Sequence, residues 1–79
     1  MSWQKYRKSQ YTEMRPVTER EELQGRHFIE REDISISPAD TKNGSPKVGD
    51  MIARNPNNHG DKWLVSEEYF TNNYELMEE

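Results

Sequence analysis

The two histidines, His27 and His59, are the side chains of this sequence that could act as general bases near neutral pH. A serine nucleophile would need such a base within hydrogen-bond reach, and the sequence contains no Gly-x-Ser-x-Gly turn to present one. We interpret His59, in a run rich in Asn and Gly, as solvated, and His27, beside Phe28, as a surface residue. We therefore predict that the protein is not an enzyme and has no catalytic residues.

Four potential metal ligands lie close together in the chain: His27, Glu30, Glu32 and Asp33. Zinc sites favour His and Cys at regular spacings, and calcium loops follow an Asp-x-Asp-x-Asp-Gly pattern, neither of which is found here. The four glycines are dispersed, so the sequence has no glycine-rich loop for a phosphate. We predict neither a metal site nor a cofactor.

Basic and aromatic residues alternate near the N-terminus, a composition typical of single-stranded nucleic-acid grooves. The residues are Lys5, Tyr6, Arg7, Lys8 and Tyr11. Against this function stand a net charge of -4 and a sequence pI of about 5.2, because affinity for nucleic acid depends on neutralising phosphates. We keep as an alternative hypothesis a ligand-binding module that sequesters a nucleotide signal or binds single-stranded nucleic acid.

The strongest local signal is a β-hairpin in the second half of the chain. Val48–Arg54 and Lys62–Val65 are strand candidates, and the seven residues between them, Asn55–Asp61, are nearly all turn formers. Ser66 then occupies an N-cap position, followed by two acidic residues where the helix dipole favours negative charge. Long polar loops are common binding sites, so we predict partner-binding residues on the hairpin tip and the acidic helix start. They are Asn57, Asn58, His59, Asp61, Glu67 and Glu68.

Shorter elements flank this hairpin. Residues 5–17 are predicted to be extended, with Pro16 at a strand end or on an edge strand. Thr18 and Glu21 match a helix capping box that Gly25 would end. Further short strands are predicted at residues 27–30, 33–37 and 74–76, with turns throughout residues 38–46.

The 79 residues suffice for one domain, 1–79, with one small core. Several short strands predict a mainly β fold with short helices, as a small SH3-like barrel or a strongly curved antiparallel sheet. The absence of cysteine fits a reducing compartment, and no apolar run is long enough to span a membrane, so we expect a cytoplasmic protein without membrane contact. An edge strand near the N-terminus leaves both a monomer and a homodimer open.

The order of several short motifs resembles that of small accessory proteins encoded by tailed bacteriophages and prophages. The motifs are Tyr6-Arg7-Lys8 at the start, Gly49-Asp50 before the hairpin, and Phe70-Thr71-Asn72-Asn73-Tyr74-Glu75 at the end. The pieces Met14-Arg15-Pro16, Met51-Ile52-Ala53-Arg54-Asn55-Pro56 and Trp63-Leu64-Val65 are also similar to phage proteins of this size. The similar pieces cover about half of the chain.

This resemblance implies a function in binding, because the phage group has no catalytic motif. Small phage proteins of this kind commonly inhibit a host enzyme, block a host defence system or sequester a signalling nucleotide. We therefore expect a non-enzymatic phage protein that inhibits or modulates a host or anti-phage defence protein by direct protein–protein contact in the host cytoplasm. Residues 25–46 depart from the pattern of the group, so the resemblance implies nothing about their role.

Overall fold

In the computed structural model, which describes residues 3–7 and 11–76, six short strands form one sheet. The strands are β1 (Gln4–Arg7), β2 (Tyr11–Pro16), β3 (Ile34–Ser35), β4 (Met51–Asn55), β5 (Asn58–Val65) and β6 (Glu75–Leu76). Their spatial order is β3-β5-β4-β2-β1-β6. All neighbours pair antiparallel except β3 and β5, which are parallel.

The prediction of a mainly β fold with short helices is confirmed at this coarse level. The sheet is mixed, because of the parallel β3–β5 pair, and it is not closed into a barrel. The predicted SH3-like barrel is therefore not confirmed. The two ends of the chain are neighbours in the sheet, since β1 pairs with β6 and Arg7 forms an ion pair with Glu75 at 3.0 Å.

Four short helices cover the sheet: α1 (Glu19–Gln24), α2 (Arg26–Glu30), α3 (Pro38–Lys42) and α4 (Glu67–Asn73). The predicted capping box is present, because the Thr18 hydroxyl accepts from the Glu21 backbone amide and the Glu21 carboxylate accepts from the Thr18 amide. Gly25 ends α1 with a φ of 84°. Ser66 caps α4 as predicted, by accepting from the Tyr69 amide. No helix of the described residues combines the length and the apolar character needed to cross a bilayer.

Two predicted segments are wrong in type. Residues 27–30, predicted as a strand, lie in helix α2, where Ile29 is fully buried and Phe28 packs against the same core. Within residues 38–46, predicted as turns, Pro38–Lys42 forms helix α3. The physical reason for α3 is that Ser37 caps its N-terminus and a proline at the first helical position is already in a helical conformation.

The hairpin is present, but its predicted long tip is not. β5 begins at Asn58, and Asn55 pairs with Asn58 across a two-residue turn made by Pro56 and Asn57. At the other end, β4 begins only at Met51, so Val48 lies outside the strand and is 51% exposed. Residues 59–61 also belong to β5, but the register with β4 shifts between Arg54 and Asn55, so these three residues have no partner in that register.

Each face of the sheet carries one part of the core. On the first face, Ile29 of α2 packs with Val17, Ile34, Ile52 and Leu64, and Trp3, Phe28 and Ile36 lie at the margin of this cluster. The second face carries Met14, Met51, Ala53 and Val65, and with them pack Tyr6, Trp63, Phe70 and Tyr74. Helix α4 therefore lies on the second face, where its Phe70 closes the core.

Asp50 joins the start of the hairpin to the start of α4. Its carboxylate is fully buried and accepts three hydrogen bonds, from the Ser45 hydroxyl at 2.7 Å, the Lys47 amide at 3.0 Å and the Glu67 amide at 2.9 Å. A buried carboxylate is stable only when hydrogen bonds or charges replace its water. This one fixes the loop before β4 against the first turn of α4.

Candidate functional site

The predicted partner-binding residues are not gathered into one patch. Asn57 lies in the hairpin turn, while Glu67 and Glu68 lie in the first turn of α4, at the other end of β5. The eight residues of β5 separate the two groups by seven steps of about 3.4 Å each, or about 24 Å. The remaining members, Asn58, His59 and Asp61, are exposed positions of β5 itself.

Between these two groups the second face of the sheet holds a pocket of about 410 Å³, which we call the aromatic pocket. Three aromatic residues line it: Trp63 from β5, Tyr69 from α4, and Tyr74 just after α4. Tyr69 is 43% exposed, and Trp63 and Tyr74 are half-buried. The other lining residues are Ser37, Asp40, Leu64, Val65 and Ser66. A volume of this size is within the range of about 300–1,000 Å³ that is typical of ligand pockets.

The aromatic rings are held in place by contacts with one another. The Tyr69 and Tyr74 ring centroids are 6.1 Å apart, and Phe70 stacks on Tyr74 at 6.3 Å with an interplanar angle of 18°. Tyr6 from β1 meets Phe70 edge to face at 5.1 Å. Such pairs are each worth about 0.5–1.5 kcal/mol beyond their buried area. The pocket wall is thus tied to the sheet through Tyr6.

Asp40 gives the aromatic pocket a negative charge. Its backbone amide donates to the Ser37 hydroxyl at 3.1 Å, but its carboxylate makes no hydrogen bond or ion pair with any residue of the described part of the chain. Asp40 and Ser66 also line an adjoining depression of about 450 Å³, together with Glu67, Glu68 and Lys47. Three carboxylates and one ammonium group therefore line this adjoining depression.

The Trp63 indole separates the aromatic pocket from a third depression at the hairpin turn. This depression has a volume of about 250 Å³ and is lined by Trp63 with Tyr11, Thr12, Asn55, Pro56 and Asn57. The predicted residue Asn57 and the predicted pair Glu67 and Glu68 thus line different depressions, on opposite sides of Trp63. Trp63 itself was predicted only as part of the strand candidate Lys62–Val65, and its place in the aromatic pocket was missed.

The structure divides the predicted nucleic-acid residues between the two faces. Lys5, Arg7 and Tyr11 occupy alternate positions of the β1–β2 hairpin on the first face, and the Lys5 ammonium lies 5.4 Å from the centre of the Tyr11 ring. Tyr6 belongs to the second face, where it packs on Phe70. Lys8 lies outside the described residues.

A charged cluster continues the first face beside these residues. The Glu13 carboxylate lies 2.7 Å from Arg54 Nε and 3.2 Å from His59 Nε2, and Arg54 lies over the Trp3 ring at 4.3 Å. His59, interpreted from sequence as a solvated loop residue, is 55% exposed in its side chain and is held beside Glu13 on a strand. The exposed Arg7 is paired with Glu75.

A buried ion pair ties α1 to the same face. Arg15 donates two hydrogen bonds to the Glu21 carboxylate, at 2.9 and 2.8 Å, and both side chains are nearly buried. Burial alone would raise the pKa of Glu21, but hydrogen bonds from Arg15 and Thr18 outweigh it, so the pKa lies below the ordinary value of a glutamate. The hydrogen bonds with Glu21 raise the pKa of Arg15. This pair holds the fold together and is not open to a partner.

The potential metal ligands do not converge. In residues 3–7 and 11–76, no group of three or more His, Asp or Glu side chains is arranged to hold a metal ion. His27 is 81% exposed in its side chain and lies 3.6 Å from Glu30, one turn later in α2.

Comparison of the chain with protein-family models, with curated proteins and with solved structures found no match.

Proposed function

We propose that this chain is a non-enzymatic binding protein that contacts a partner protein directly through the aromatic pocket. The observation that carries the proposal is the convergence of Trp63, Tyr69 and Tyr74 around a pocket of about 410 Å³ on the second face of the sheet. Tyrosine and tryptophan are enriched in protein interfaces, where a few such anchors supply most of the binding energy.

The surroundings of the pocket support the same function. The rings are held by the contacts of Phe70 with Tyr6 and Tyr74, so a partner would not bear the full entropic cost of ordering them. The acidic residues Glu67 and Glu68 lie beside the pocket and belong to the surface that the sequence predicts to bind a partner. A charged rim around aromatic anchors is typical of specific interfaces.

The resemblance to small phage and prophage accessory proteins is our reason for proposing a host or anti-phage defence protein as the partner. On this proposal the chain is phage-encoded and inhibits or modulates that protein by covering part of its surface. No covalent step is required, because binding alone blocks a surface or holds a conformation.

Two tyrosines of nearly equal exposure make a matched test. Tyr69 in the pocket is 43% exposed and Tyr11 on the β1–β2 hairpin is 42% exposed. Tagged wild type, Tyr69→Ala and Tyr11→Ala would be used to capture proteins from bacterial lysate, and the affinity of each for the captured protein would then be measured. We expect Tyr69→Ala to lose at least tenfold in affinity, about 1.4 kcal/mol or more, and Tyr11→Ala to bind as wild type does. Equal binding by wild type and Tyr69→Ala would contradict the proposal.

A second candidate function, binding of single-stranded nucleic acid, is favoured by one observation on the other face. Lys5, Arg7 and Tyr11 lie together on the β1–β2 hairpin, next to Arg54. Fluorescence anisotropy with a labelled oligonucleotide at several salt concentrations tests it. If the chain binds nucleic acid, Lys5→Ala should weaken oligonucleotide binding and reduce its salt dependence. Tyr11→Ala should weaken oligonucleotide binding by about 1–3 kcal/mol, because a stacking contact with a base is lost. Tyr69→Ala would then bind as wild type does, so the two tyrosines separate the two functions.

A further inference from the structure

From the chemistry of the aromatic pocket, we infer that it receives an arginine side chain of the partner. This inference rests on the proposed function and specifies which group of the partner the pocket recognises. Guanidinium is planar, stacks on aromatic faces and donates two parallel hydrogen bonds to a carboxylate. The pocket offers both kinds of contact, since Asp40 lies in its wall together with the rings of Trp63, Tyr69 and Tyr74.

The cation–π contacts within the described part of the chain involve other aromatic rings and not that of Trp63. Arg15 and Arg54 both lie over the Trp3 ring, at 5.4 and 4.3 Å. Lys5 lies over Tyr11 and Arg20 over Phe28, at 5.4 and 5.8 Å. By contrast, no lysine or arginine of the described residues lies over the Trp63 indole. On this inference, the arginine of the partner supplies the cation for this ring.

The charge around the pocket has the sign that a cation requires. The Asp40 carboxylate has no partner among the described residues, and Glu67 and Glu68 extend the negative charge, with Lys47 as the one cation lining the adjoining depression. An unpaired carboxylate in a partly enclosed site gains more from an incoming cation than an exposed one does, because water screens the pair less.

The starts of α3 and α4 also border the pocket, and three of their amides are engaged. The Ser37 hydroxyl accepts from the Asp40 amide at 3.1 Å, and the Ser66 hydroxyl accepts from the Tyr69 amide at 3.3 Å. The Glu67 amide donates to buried Asp50 at 2.9 Å. An anion in the pocket would lie near the Asp40 carboxylate and be repelled by it, so the charge favours a cationic group.

The test is a titration of the ¹⁵N-labelled full chain, followed by NMR, with N-acetyl-arginine N-methylamide. N-acetyl-citrulline N-methylamide, which has nearly the same shape but no charge, is the matched probe. We expect the arginine probe to shift the Trp63 indole N–H signal saturably, with a dissociation constant on the order of 1 mM, while the Trp3 indole signal stays in place. The citrulline probe should bind about tenfold more weakly or not at all.

Asp40→Asn removes the charge with little change of shape, and Asp33→Asn is its control, on an exposed carboxylate outside the aromatic pocket. We expect Asp40→Asn to weaken the arginine probe about five- to tenfold and Asp33→Asn to leave it unchanged. Equal shifts with citrulline, binding of N-acetyl-glutamate N-methylamide at the pocket, or unchanged binding by Asp40→Asn would overturn the inference. The same spectra show whether each variant is folded.

The affinities of the two variants, Tyr69→Ala and Asp40→Asn, for the captured partner show whether this inference or the proposed function is wrong. If Tyr69→Ala releases the partner but Asp40→Asn holds it as tightly as wild type does, the pocket binds protein but not through an arginine. If the arginine probe binds at Trp63 and Tyr69→Ala still holds the partner, the pocket has the inferred chemistry, but the proposed interface is wrong.

Discussion

Replacing Asp50 by Asn should bring this protein close to unfolding. Its Oδ2 atom accepts from the Ser45 hydroxyl and the Lys47 amide, and its Oδ1 atom accepts from the Glu67 amide. An asparagine that keeps the first two bonds must turn its NH₂ group toward the Glu67 amide, so one bond is lost and two donors face each other in a buried site. A hydrogen bond to a charged group is worth about 1.5–3 kcal/mol, and an unsatisfied buried donor costs about 1–3 kcal/mol.

The expected loss for Asp50→Asn is therefore about 3–5 kcal/mol, as large as the whole stability of about 3–5 kcal/mol that one small core provides. Urea unfolding followed by far-UV circular dichroism measures it. Ser45→Ala removes only the bond of 2.7 Å and should cost about 1–2 kcal/mol, which leaves a measurable transition. Asp61→Asn, on an exposed residue, should stay within about 0.5 kcal/mol of wild type. If Asp50→Asn also stays within that range, Asp50 does not fix α4 to the hairpin as described.

Three further stability predictions use the same urea assay. Glu21→Gln breaks a nearly buried ion pair and should cost about 3 kcal/mol at pH 7. Because folding lowers the pKa of Glu21, its contribution to stability is present above the ordinary pKa and is lost as the pH falls through the lowered value. The cost of the substitution should therefore shrink in acid, and a cost independent of pH would contradict this reasoning. Ile52→Ala, at a fully buried position, should cost about 2–5 kcal/mol, whereas Leu23→Ala, at a position 86% exposed, should change stability by less than about 0.5 kcal/mol, and equal effects would contradict the described core. Gly49→Ala should cost about 1–2 kcal/mol because its φ is 108°, while Gly60→Ala, where no positive φ is required, should cost less, and the reverse order would refute the assigned backbone.

Signals that act over three or four residues predicted the structure well. The Thr18–Glu21 capping box and the Ser66 cap were predicted at the positions where they occur, because a cap satisfies amides only two or three residues away. The strand predicted at residues 33–37 is likewise present, in shorter form, as β3 (Ile34–Ser35).

Segments with two compatible conformations were predicted less well. Phe28 and Ile29 are adjacent apolar residues, a pattern that fits a short strand as well as one helical turn, and only packing against the first face decides for α2. Ser37-Pro38 marks a turn, but it is also a strong helix start, and α3 follows it. In the hairpin, pairing of Asn55 with Asn58 draws most of the predicted tip into β5, which moves His59 from a loop to the side of Glu13.

The aromatic pocket depends on the one strand pair whose direction the sequence did not predict. β3 runs parallel to β5, with Ile34 opposite Lys62 and Ser35 opposite Trp63. After Ser35 the chain therefore continues toward the start of α4, which brings Ser37 and Asp40 to Trp63 and Tyr69. In the antiparallel sheet predicted from the sequence, the same residues would have run toward the hairpin turn, and the pocket would lack its carboxylate. Because β3 has only two residues, of which Ile34 alone is buried, the position of Asp40 in the pocket depends on a short parallel pairing that no local motif of the sequence indicates.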